Sequence, residues 1–166
     1  MNVNIALLTV TDTRTIDNDK SGSILENKIK SANHNLVDRQ ICKDNKADIV
    51  IILKNWTNQK NIDVIITTGG TGLTGRDITP EAIDQIADKH IPGFGELFRN
   101  ISLKTVGTSA IQSRACAVLA NGKYIFSLPG SSGGVTDAWE EILKHQLDIN
   151  HKPCNFVELF PRLKEK

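Results

Sequence analysis

Aromatic side chains make up only 5% of the 166 residues, and no stripe of Lys and Arg interleaved with Phe or Tyr is visible. With a formal net charge of +1, the chain lacks the electrostatic footprint of a nucleic-acid binder. Cysteine is equally sparse: Cys42, Cys116 and Cys154 are far apart, odd in number and without C-x-x-C spacing. That argues against both a disulfide framework and a zinc site, and suits a reducing cytosol. No apolar run approaches the roughly 20 residues of a membrane span, and the start lacks the basic residues and cleavage site of a signal peptide. A cytoplasmic protein without a membrane partner is therefore expected. No Pro/Ser-rich linker or charge block divides the chain, so one domain is expected, its partners small molecules or copies of itself.

Glycine is placed where it matters most. Val64, Ile65 and Ile66 form a β-branched run suited to a strand buried on both faces, which empties into Thr67-Thr68-Gly69-Gly70-Thr71-Gly72. Without Cβ atoms, Gly69, Gly70 and Gly72 let the backbone turn sharply and bring N–H groups close to an anion, phosphate being the obvious one. The alternative is a tight turn with no ligand. Arg76 and Asp77 follow, a cation and a carboxylate suited to a nucleotide with its metal ion. A helix is then predicted, with Thr79 as N-cap, Pro80 at N1, Glu81 in the first turn and Ile78 stapled onto Ile83. Residues 70 to 75 also fit the dinucleotide pattern G-x-G-x-x-G. That pattern needs its third glycine inside a helix, and here the helix begins only at Thr79, so a Rossmann dehydrogenase is disfavoured.

The remaining elements alternate. A buried strand over Val3 to Val10 ends at Asp12, and a helix opens at the capping-box residues Ser23 to Glu26. A strand over Leu36 to Cys42 delivers Asp44, and Asn45 caps a helix with Ile49, Ile52, Leu53 and Trp56 on one face. Past Pro92, the residues Phe94, Leu97, Phe98 and Ile101 repeat at helical spacing, and alanine-rich Ser113 to Leu119 reads as a further short helix. Tyr124 to Leu128 is a fourth strand, ending in Pro129-Gly130-Ser131-Ser132 before a last helix. Four strands alternating with helices imply a parallel α/β sheet. The loops at Asp12, Asp44, Gly69 to Asp77 and Pro129 to Ser132 then gather on its carboxyl edge, where such sheets bind ligands. Residues 149–166 form a tail whose apolar side chains are expected to pack on the domain (1–148) or on a neighbouring subunit.

Carboxylates beside a phosphate loop are repelled by it unless a cation intervenes, so Asp44 and Asp77 point to magnesium, although Asp44 could equally cap a helix. Arg76 could be a solvated surface residue, Ser113 a cap or a substrate contact, and Ser131 and Ser132 simple caps or anion ligands. His34, His90, His145 and His151 read as surface residues near element ends.

Thr67 to Gly72, Arg76 to Ala82, Pro92-Gly93-Phe94-Gly95-Glu96 and Leu128-Pro129-Gly130, in that order, resemble the molybdopterin-binding family of molybdenum cofactor biosynthesis across nearly the whole chain. Lys152 to Phe156 is similar to one bacterial branch of it. The sister branch comprises molybdopterin adenylyltransferases, from which the chain departs at Leu73-Thr74-Gly75 and at Ser131 to Gly134. The resemblance implies one doubly wound α/β domain, with a mainly parallel sheet and helices on both faces, assembled as a homotrimer or hexamer. It implies that Gly69 to Gly72 hold phosphates, that Asp44 and Asp77 are the essential acids and magnesium ligands, and that Ser113 is catalytic. Asp12, Glu96 and Gly130 fall on the same pocket in that pattern, and Thr68, Arg76, Pro129 and Ser131 complete the expected site. The implied reaction is attack of the molybdopterin phosphate on the α-phosphorus of MgATP. A non-catalytic molybdopterin carrier and an oligomeric scaffold are the alternatives, and other proteins of cofactor assembly are candidate partners for handing the pterin on.

Overall fold

The computed structural model describes residues 1–165. Strands β1 (Asn4–Val10), β3 (Val64–Thr68) and β6 (Lys123–Leu128) are buried almost throughout, because both of their faces are covered. With β2 (Asn35–Cys42), β4 (Lys89–His90) and β5 (Cys116–Ala120) they make one sheet in the order β2-β1-β3-β6-β5-β4. The first four strands in that order are parallel, whereas β5 and β4 continue antiparallel.

Strand alternation divides the core in two. Ile5, Leu7, Val64, Ile66 and Phe126 face α1 (Lys20–Ser31), α4 (Pro92–Val106) and α5 (Ser132–Ala138), the last running on through a π-helical turn at Trp139–Leu143. Ala6, Leu8, Ile65 and Ile125 face α2 (Lys46–Asn58) and α3 (Thr79–Asp84). This is the doubly wound α/β fold with helices on both faces. From β1 the chain passes through α1 to β2 on one side, then returns through α2 to β3 on the other side. The loops after β1 and β3 therefore diverge, leaving a crevice at their carboxyl ends.

Several local expectations are corrected. Residues from Ser113 to Leu119 form no helix; Cys116–Ala120 is a strand paired with β6, so the sheet has six strands, not four. Asn121 and Gly122 both take positive φ (49° and 72°), as a two-residue hairpin turn of Asn-Gly type requires, and this turn outweighs the helical preference of alanine. Helix α1 starts at Lys20 with Asp19 as its cap, accepting from Gly22 N, rather than at Ser23. Thr79 is the first helical residue and not the cap; its hydroxyl turns back to the Gly69 carbonyl, 2.9 Å away. His34 is buried, its Nδ1 accepting from Val3 N, and burial pushes its pKa down. Asn45 caps α2 through Asp48 N, as its position predicts.

The tail lies on its own protomer. Phe156 sits 4.6 Å from the Tyr124 ring and 5.5 Å from that of Phe126, while Phe160 also meets Tyr124 at 5.8 Å. Buried Asn155 ties the turn together by donating to the carbonyls of Ile149 and His151 and accepting from Glu158 N. Replacing Phe156 with Ala should lower the unfolding free energy by about 2–4 kcal/mol, the range for removing a packed aromatic ring. An unchanged midpoint in urea would show that the tail adds nothing to the core.

Candidate functional site

The glycine loop is locked before any ligand arrives. Gly69 has φ +98°, and a Cβ there would lie 2.2 Å from the Val10 carbonyl oxygen, so only glycine lets β3 turn so close against the end of β1. Its amide donates to Leu128 O at 3.0 Å, and its carbonyl accepts from Thr79 Oγ1. Gly70 has φ +68°, and a Cβ there would meet Thr79 Oγ1 at 2.3 Å. Thr68 Oγ1 donates to the Pro129 carbonyl at 2.8 Å, drawing the loop after β6 alongside. The result is a polar cleft of about 320 Å³ bordered by Thr68, Gly69, Gly70, Gly130 and the loop after β1. Among the described residues no protein acceptor takes the amide of Gly70. A free N–H at a glycine turn is a ready anion contact.

Three carboxylates and two arginines surround this cleft. Asp12 Oδ2 pairs with Arg76 Nη2 at 2.5 Å, and Asp12 Oδ1 accepts from the Asp44 amide at 3.1 Å. Burial pushes the Asp44 pKa up, and the neighbouring charges of Asp12 and Asp77 push the same way against Arg76. Burial acts on Asp77 in the same sense, yet bonds from the Thr74 hydroxyl (2.6 Å), the Thr74 amide (2.9 Å) and the Gly72 amide hold its pKa below the usual carboxylate value. Among the described residues no group of three or more His, Cys, Asp or Glu could hold a metal ion by itself. Two carboxylates, Asp44 and Asp77, line the cleft itself, the number that magnesium commonly takes from a protein when substrate phosphates and water supply the rest of its shell.

Three residues that matter here were not picked out from the sequence. Asp19 is 1% exposed and accepts from Thr9 Oγ1 (2.6 Å), Gly22 N (3.0 Å), Arg39 Nη2 (3.1 Å) and Ser21 Oγ (3.2 Å). It thus ties β1, α1 and β2 together directly behind the cleft wall formed by Thr9 and Ser21. Arg14 borders the cleft and donates to Ser21 Oγ and Gly130 O. Arg114 grips the arm after the glycines: Nε donates to Gly72 O and Nη2 to Asp77 O, both at 2.7 Å, and Nη1 pairs with Glu81. Its amide donates to the Thr71 carbonyl. The Asp-Lys-Ser-Gly run that opens α1 is the readable signal for Asp19, because an acid three residues before a glycine amide suits an N-cap.

The expected site residues divide into groups. Asp12, Asp44, Thr68, Gly69, Gly70, Arg76, Asp77 and Gly130 converge at the glycine cleft. Thr71 and Gly72 serve the loop through their carbonyls. Glu96 and Ser113 border a separate cleft of about 520 Å³ with Arg99 and Arg114, and Pro129, Ser131 and Ser113 border another of about 390 Å³. Ser131 caps α5 by accepting from Gly134 N at 3.1 Å.

A glycine turn at the switch point of a doubly wound sheet, with acids lining the same crevice, places the chain among the α/β proteins that open their ligand site at the carboxyl ends of the strands. The chain belongs to the molybdopterin-binding family of molybdenum cofactor biosynthesis: the family model described as a probable molybdopterin binding domain matches residues 6–149. It is 42% identical to molybdenum cofactor biosynthesis protein B of Escherichia coli (strain K12) over 161 residues, covering 97% of this chain and 93% of that one. It is 46% identical to the protein of the same name from Staphylococcus aureus (strain COL) over 149 residues, 88% of each. A crystal structure of a molybdenum cofactor biosynthesis protein B superposes with a TM-score of 0.89 at 38% identity, covering 100% of this chain and 98% of the other.

Acid should act on the Asp19 network. Burial opposes ionisation of Asp19, but its four hydrogen bonds outweigh that and lower the folded pKa below the unfolded one. Its stabilisation is therefore present above about pH 4 and lost as pH falls through the folded pKa. Asp19→Asn should cost roughly 3 kcal/mol at pH 7, since Arg39 loses its buried partner, and should flatten the loss of stability below pH 4. Urea unfolding from pH 3 to 7 checks both; parallel curves for variant and wild type would contradict the assignment.

Proposed function

We propose that the glycine cleft binds the phosphates of MgATP and that the protein adenylylates molybdopterin. A phosphate oxygen of molybdopterin attacks the α-phosphorus, the bond from that phosphorus to the oxygen bridging to the β-phosphorus breaks, and pyrophosphate leaves with the electron pair. The observation that carries this reading is the unclaimed Gly70 amide at a rigid turn that borders the same cleft as Asp44 and Asp77. Burial first, then the charge of Asp12 and to a lesser degree that of Asp77, push the Asp44 pKa up, a cost of ionisation that a substrate-borne cation would relieve. Magnesium held by Asp44, Asp77 and phosphate oxygens would neutralise charge developing on the leaving pyrophosphate.

The chain's own residues do the positioning. The Gly70 amide orients a phosphate oxygen; Arg114 fixes the arm carrying Asp77; Thr74 fixes the Asp77 carboxylate. Ser113 and Glu96, in the neighbouring cleft with Arg99, are read as contacts to the pterin substrate. Leu103, Val106 and Ile111, exposed at the end of α4 and just after it, suit a homotrimer or hexamer. A cytoplasmic location and transfer of the pterin to other proteins of cofactor assembly belong to the same reading.

Asp77→Asn and Asp44→Asn should each slow single-turnover adenylyl transfer about a hundredfold at saturating magnesium, while molybdopterin affinity stays near that of the wild type. Pyrophosphate release and adenylylated product are the quantities measured. Undiminished rates in both variants would overturn the assignment of the acids, and absence of turnover in the wild type would favour the carrier.

A further inference from the structure

The two arginines at the glycine cleft are in opposite electrostatic situations. Arg76 is neutralised by Asp12. Among the described residues Arg14 meets no carboxylate, and its bonds go only to neutral oxygens, Ser21 Oγ at 3.2 Å and Gly130 O at 3.4 Å. The second is long and exposed, hence cheap to exchange.

The first bond belongs to a buried relay. Arg39 pairs with fully buried Asp19, and Ser21 donates its hydroxyl proton to Asp19 Oδ1. With that proton committed, the Ser21 oxygen presents lone pairs outward, where Arg14 Nη1 donates. Ser21 is itself fully buried, and the Thr9 hydroxyl fixes the far side of Asp19. A merely solvated surface arginine would have no such support, whereas here a buried carboxylate sets the orientation of an unpaired cation at the cleft wall.

We propose that Arg14 is a phosphate-recognition residue of this cleft, exchanging the Gly130 carbonyl for the oxygens of an incoming phosphoryl group while Ser21 and Asp19 hold its direction. The proposal rests on the reading of the glycine cleft as a phosphate site. A guanidinium suits the task because its planar fork donates two parallel bonds to one phosphate, which the ammonium of lysine cannot do. In this division of labour Arg14 touches the ligand, and Ser21 acts through Arg14 as a positioning residue.

Isothermal titration of the full chain with inorganic pyrophosphate and with MgATP tests this without requiring turnover. Arg14→Ala should weaken both ligands by about tenfold or more, the usual consequence of losing a charge-assisted bond, and Arg14→Lys should recover only part of the loss. Ser21→Ala should weaken binding less, and the double variant should bind no worse than Arg14→Ala, because a positioning residue has nothing left to position. Unfolding midpoints confirm that each variant is folded, and the Arg14 pair decides the matter if Ser21→Ala is not. Wild-type binding with Arg14→Ala unchanged overturns this proposal and leaves the nucleotide reading standing. Additive losses in the double variant overturn the positioning of Arg14 by Ser21. Binding of neither ligand by the wild type overturns both this proposal and the nucleotide reading.

Discussion

The contact between Gly69 and the Val10 carbonyl is the constraint on which the site depends. A Cβ would come within 2.2 Å of that oxygen, and the φ of +98° is one that side chains rarely permit. Because β3 turns there, the arm that follows brings Arg76 to Asp12 in the loop after β1. Asp12 can then reach Arg76 with one oxygen and the Asp44 amide with the other. Three loops from separate parts of the sequence thereby share a single anion-sized space.

Behind that space stands a buried charge network that joins β1, α1 and β2. Pairing Asp19 with Arg39 means desolvating both, a cost that such pairs recover only when their remaining donors and acceptors are satisfied. Asp19 is fully satisfied, whereas the Nε of Arg39 is buried without a partner. An apolar filling would suit stability at least as well. The network instead fixes the direction of polar groups facing the cleft, Ser21 above all, which an apolar filling could not do.

Much of this was legible in the sequence, for identifiable reasons. The runs Val64 to Ile66 and Val3 to Val10 announced strands buried on both faces, and strand-end loops at Asp12, Asp44 and Gly69 had to meet once the sheet was parallel. The hairpin of β5 and β6 was missed because alanine content was weighed above Asn121-Gly122, the stronger local signal. Arg114 is not legible for a different reason: its partners Gly72, Asp77 and Glu81 lie 33 to 42 residues away, and no local pattern encodes such distances. For Asp19 the local run signals the helix cap at Gly22, but not the contacts with Thr9 and Arg39. Glu96 and Ser113 lie on a neighbouring cleft because they adjoin β4 and β5, which stand beyond β6 in the sheet, to one side of the loops after β1 and β3.

The central claim is that the nucleotide enters the glycine cleft and not the larger one beside it. Backbone amide chemical shifts, followed by NMR during a titration with MgATP, separate the two directly. The account predicts that the largest changes fall on Gly69 to Gly72, Thr11 to Arg14 and Gly130. Changes confined to Glu96, Arg99 and Ser113 to Cys116 would contradict it.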